Sequence, residues 1–113
     1  MAKAKIDHQL IAQADAYKLR YTEQAHGQRE LARTDLAAAR EFTRGSYQYI
    51  EHCVSLNEHL ARARVYEYVA RKMSTAILCA QAGFSPRSLD FDDIDRAKKA
   101  WDQERDNKSK SWG

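Results

Sequence analysis

Glycine and proline are nearly absent from this chain: four glycines and one proline stand among 113 residues. These two residues are the strongest punctuators of local structure. Their scarcity leaves long helical runs and few places to turn. Ala, Leu, Glu, Gln, Arg and Lys, which lose least on entering a helix, make up much of the rest. No stretch alternates apolar and polar residues with β-branched side chains on one face, so no sheet is expected. The sequence predicts an all-α protein: an antiparallel helical hairpin or small helical bundle with a short C-terminal helix, in one domain over 1–113.

Four helical stretches are expected, over about 6–26, 28–44, 47–82 and 90–105, with a frayed tail at 106–113. Asp7 suits the cap of the first. Leu10, Ala14, Tyr17 and Tyr21 mark one face there. Gly27 either ends that helix or sits inside it, so one helix or two over 6–44 is left open. Leu31, Thr34 or Asp35, Ala38 and Phe42 line the expected packing face of 28–44. Gly45-Ser46 is the clearest break. Glycine fits the left-handed residue that closes a helix, and serine caps the next. In 47–82 the apolar series runs Ile50, Cys53 or Val54, Ala61, Val65, Tyr68 or Val69, Met73, Ile77 and Ala80. Gly83-Phe84-Ser85-Pro86 ends it. Asp90 and Asp93 resemble a capping box, with Leu89 and Ile94 as a hydrophobic staple. Trp101 is expected in the core and Trp112 idle.

Charge and cysteine content exclude several functions. Nineteen basic and sixteen acidic side chains give a net charge of +3. They are interspersed, which suits solubility more than strong nucleic-acid binding. Cys53 and Cys79 lie roughly 39 Å apart on one helix at 1.5 Å per residue and cannot pair within the chain. Unpaired thiols, and a start lacking the apolar run of a signal peptide, point to the cytoplasm. The longest uncharged stretch, 73–84, is too short to span a bilayer. No membrane association is expected.

No motif specifies a reaction. There is no phosphate-binding glycine loop, Cys-x-x-Cys or dinucleotide fingerprint. His52 and His59, each preceded by a glutamate, stand seven residues apart, too far for adjacent-turn metal ligands. They read as a solvated or hydrogen-bonding helix face. Cys53 follows His52, but neighbours on a helix point about 100° apart and make a poor dyad. The chain is therefore expected to be no enzyme and to need no cofactor or metal.

Two binding readings remain. Tyrosine joins apolar area to a polar tip and suits interfaces. Tyr17, Tyr21, Tyr47, Tyr49, Tyr66 and Tyr68 are thus the candidate contacts of a regulator, adaptor or inhibitor that binds another protein, and a homodimer is expected. The alternative is a nucleic-acid-binding accessory protein. Its phosphate contacts would be Arg29, Arg33, Arg40, Arg44, Arg62, Arg71 and Lys72.

Overall fold

The structure, a computed structural model, describes residues 6–83 and 91–111. Among them are three helices and no strand: α1 (His8–Ala39), α2 (Tyr47–Gln81) and α3 (Phe91–Ser111). The antiparallel hairpin and the shorter C-terminal helix are as the composition predicts. By contact the described residues fall into two compact units. One holds 6–27 and 63–83, the other 28–62 and 91–111.

Helix starts and stops follow capping chemistry. Asp7 closes the first turn of α1: the Leu10 N–H donates to Asp7 Oδ1 at 3.0 Å, satisfying a donor that has no partner inside the helix. The helix then passes through Gly27 unbroken. It stops at Ala39, five residues short of the expected end at Arg44. There the N–H groups of Glu41 and Phe42 bond back three residues, to Ala38 and Ala39, in a tightened last turn. Gly45 takes φ +87°, the left-handed conformation that glycine adopts without penalty. Ser46 caps α2, its Oγ accepting the Tyr49 N–H at 3.3 Å.

The tail expected to fray from 106 is instead helical to Ser111. Asp106, at the start of that stretch, is held by Arg62 of α2. The Phe84–Pro86 break, the Asp90 cap and the Leu89 staple lie outside the described residues.

The packing seam departs from the expected one. In the unit of 28–62 and 91–111, α1 turns Gln28, Ala32, Asp35 and Ala39 inward, and α2 turns Tyr49, His52, Leu56 and His59 inward. Gln28 meets His59, and Asp35 meets His52, seven residues along each helix. This alternation of three and four residues is the seam of a two-helix coiled coil. Of the apolar series expected to pack in this part of α2, Ile50 is 51% exposed, while Cys53 and Val54 are half-buried. Leu31 and Phe42, expected on the face of 28–44, are exposed too.

In the unit of 6–27 and 63–83 the seam is apolar. Ala14, Tyr21 and Ala25 of α1 and Ala63, Tyr66, Ala70, Met73 and Ala80 of α2 are buried. Tyr21 and Tyr66 meet edge to face with ring centroids 6.0 Å apart, within the favoured range for aromatic pairs. Tyr21 and Met73 are the largest wholly buried side chains. Burying each is worth about 1.5–3 kcal/mol, far more than any alanine beside it.

Candidate functional site

The most organised polar cluster is built across α1 and α2 in the unit of 28–62. Asp35 stands at its centre, with its side chain 16% exposed. Ser55 donates to Asp35 Oδ2 at 2.6 Å, and His52 Nδ1 lies 3.0 Å from Asp35 Oδ1. A carboxylate only accepts, so Nδ1 of His52 carries the proton of that bond. His59 places Nε2 3.6 Å from Asp35 Oδ2 and Nδ1 2.6 Å from Gln28 Oε1. The ring of Phe42 stacks on His52 with centroids 5.7 Å apart, covering its outer side.

Seven-residue spacing of the histidines follows from this seam. Both occupy one position of the repeat on α2, and the polar residues opposite them on α1 repeat at the same interval. The two residues do share a hydrogen-bonding face, as their spacing suggests. Asp35 was within reach of sequence reasoning as a packing-face residue. Gln28 and Ser55 carried no signal, because an isolated polar residue on a charged helix looks like any solvated one.

Chemically the cluster binds its own side chains. Ser55 gives its proton to the Asp35 carboxylate and not to an imidazole. Among the described residues no group of His, Cys, Asp and Glu is arranged to hold a metal ion. The polar layers are instead suited to fixing register. Polar groups inside an apolar seam penalise every alignment that separates them.

The candidate tyrosines divide. Tyr21 and Tyr66, 0% and 4% exposed, form the core and have no surface to offer a partner. Alanines surround them, so the tyrosines supply the volume that fills the seam. Tyr17 is half-buried, stacked on Tyr21 at 6.3 Å between centroids, with the Arg20 guanidinium 4.6 Å from its ring. Tyr49 lies half-buried in the seam. Tyr47 and Tyr68 face solvent, at 70% and 54% exposure. Lys72 lies 5.2 Å over the Tyr68 ring.

The arginines divide as well. Arg62 is largely covered and bonded to Asp106, and Arg33 is paired with Glu30 on its own helix. Arg29 is half-buried, whereas Arg40, Arg44, Arg71 and Lys72 are exposed. Arg71 and Lys72 belong to the other compact unit from Arg29, Arg33, Arg40, Arg44 and Arg62.

Part of the open surface is apolar. Beside the polar seam, α2 exposes Tyr47 and Ile50, and Phe42 is 40% exposed in the turn before it. In the other unit Leu19, Leu78 and Tyr68 are exposed. Cys53 and Cys79 are half-buried free thiols. No helix among the described residues is long and apolar enough to cross a membrane. Comparison with protein families, with curated proteins and with solved structures finds no match to this chain.

Proposed function

We propose that this chain is a small non-enzymatic binding protein of the cytoplasm, a regulator, adaptor or inhibitor that acts by covering part of another protein. One observation carries the reading. In the unit of 28–62, α2 turns histidines toward its own partner helix and leaves Tyr47 and Ile50 exposed, with Phe42 40% exposed in the turn before it. A lone helix pair with a free choice of register would bury its most apolar face. Here polar contacts hold the hairpin in a register that keeps that face available. Residues spaced three and four apart suit docking by a helix.

The same stripe supports self-association. In a two-fold dimer the same patch, Tyr47 and Ile50, would meet its own copy. Binding works by occlusion, with no bond made or broken.

The test compares the tagged full chain with Ile50→Asp and with Tyr47→Ala, each checked for an unchanged helical spectrum. Mass in solution and capture from the native lysate are read at moderate salt. A dimer, or a stoichiometric protein, lost on Ile50→Asp supports the reading. Retention of both by Ile50→Asp refutes it. Recovery of nucleic acid alone, released by salt and abolished by replacing Arg40 and Arg44, refutes it in favour of the phosphate-binding alternative.

A further inference from the structure

Charge ties α3 to α2. Its apolar residues Phe91, Ile94 and Trp101 are only half-buried, and none of its described side chains is fully buried. Two ion pairs of opposite polarity join it to α2. Arg105 donates to Glu58 Oε1 at 3.3 Å, and Arg62 donates to Asp106. The Arg105 guanidinium also lies 5.1 Å from the centre of the Trp101 ring. Thus α2 presents an acid and then, one turn later, a base. α3 answers with a base and an acid at adjacent positions. Sliding α3 along α2 brings like charges together, so the pairs fix one docking register.

Closure also has a cost visible in the same place. Glu58 Oε2 and Arg62 Nε are removed from water and have no hydrogen-bond partner. A stranded polar atom opposes the closed state, because it recovers water when the cover lifts. The favourable side rests on partly exposed ion pairs, which salt screens. Attraction is therefore tunable, and the opposing cost is built in.

We propose that α3 is a releasable strap over the Glu58–Arg62 turn of α2, closed at low ionic strength and opened by screening or by loss of either ion pair. Opening uncovers an acid and a base one turn apart.

Amide hydrogen exchange of the full chain tests it, with Trp101 fluorescence in a Trp112→Phe background as a second readout. Between 0.1 M and 1 M salt the screening length falls from about 10 Å to about 3 Å. Exchange across 91–107 should then accelerate by about tenfold, while α1 and α2 change by less than about twofold. Glu58→Arg should open α3 already at 0.1 M, and adding Arg105→Glu should restore its protection. If Glu58→Arg alone disrupts the fold, Arg105→Glu alone gives the same reading from the more exposed side. The proposal is overturned if α3 exchanges at a rate indifferent to salt and to these charges. It is equally overturned if all three helices lose protection together, or if the charge-swapped pair stays open.

Discussion

Replacing Asp35 by alanine tests the logic of the hairpin most directly. The carboxylate accepts from Ser55 at 2.6 Å, meets His52 at 3.0 Å and stands 3.6 Å from His59. A hydrogen bond to a charged group contributes about 1.5–3 kcal/mol, and the groups left behind lose partners as well. The side chains of His52 and His59 retain 32% and 22% of their exposure, so water replaces part of what is lost. Weighing the two, Asp35→Ala should cost about 2 kcal/mol. Urea unfolding followed by circular dichroism is the assay. With a slope of about 1–3 kcal/mol per molar for a small protein, the midpoint should fall by about 1 M. Replacing three members together, Asp35→Leu with His52→Leu and Ser55→Ala, should recover most of that loss, because the two closest partners of the carboxylate are then gone and His59 keeps its bond to Gln28. A midpoint for Asp35→Ala within about 0.2 M of the parent would refute the reasoning, since the cluster would then contribute less than an ordinary surface contact. A triple variant no more stable than the single one would equally show that unpaired groups are not the source of the cost.

Other positions give sharper local expectations. Gly27 lies inside α1, and an added Cβ there meets nothing within 4 Å. Gly27→Ala should therefore stabilise by about 1 kcal/mol, read as a higher melting temperature. Gly45→Ala does the reverse despite equal space, because φ +87° is unfavourable for a side chain; the expected loss in chemical denaturation is about 1–2 kcal/mol. Ser46→Ala removes the α2 cap and should cost about 1 kcal/mol by the same measurement. Tyr21→Ala should cost about 3–5 kcal/mol through the cavity it leaves, whereas Tyr47→Ala should change stability by less than about 0.5 kcal/mol.

How far the sequence carried depended on which signal each residue emitted. Caps were legible because they are local: Asp7 and Ser46 cap their helices as their chemistry suggests, whereas Gly45 takes its left-handed conformation in the connecting turn, six residues past the end of α1 at Ala39. Gly27 was ambiguous because an exposed glycine in a long helix is tolerated at a small cost, and neighbours of high helix propensity offset it. The seam of α2 was misread for a different reason. Hydrophobic periodicity selects the most apolar stripe. In 47–62 that stripe runs Ile50, Cys53 or Val54, and Ala61, while the seam with α1 carries His52 and His59. Pairwise complementarity between Asp35 and those histidines decides the orientation, and no single helix contains that information. Likewise six tyrosines signalled surplus aromatic area, but only the register separates Tyr21 and Tyr66 in the core from Tyr47 and Tyr68 outside. α3 outlasts its weak composition because Arg62, distant in sequence, meets Asp106.

The interior of this protein consists largely of methyl groups: Ala14, Ala25, Ala32, Ala39, Ala63, Ala70, Ala76 and Ala80 supply most of the buried positions. Alanines let two helices approach closely but remove little oil-like surface from water for each residue ordered. Such a hairpin resists heat and proteases only modestly when it stands alone. A molecule that binds the folded form raises that resistance by mass action, in proportion to RT ln(1 + [L]/Kd). Under the proposed function, the amount of this protein surviving in a cell would then report how much of such a partner is present, and chains made in excess would be the first to be degraded.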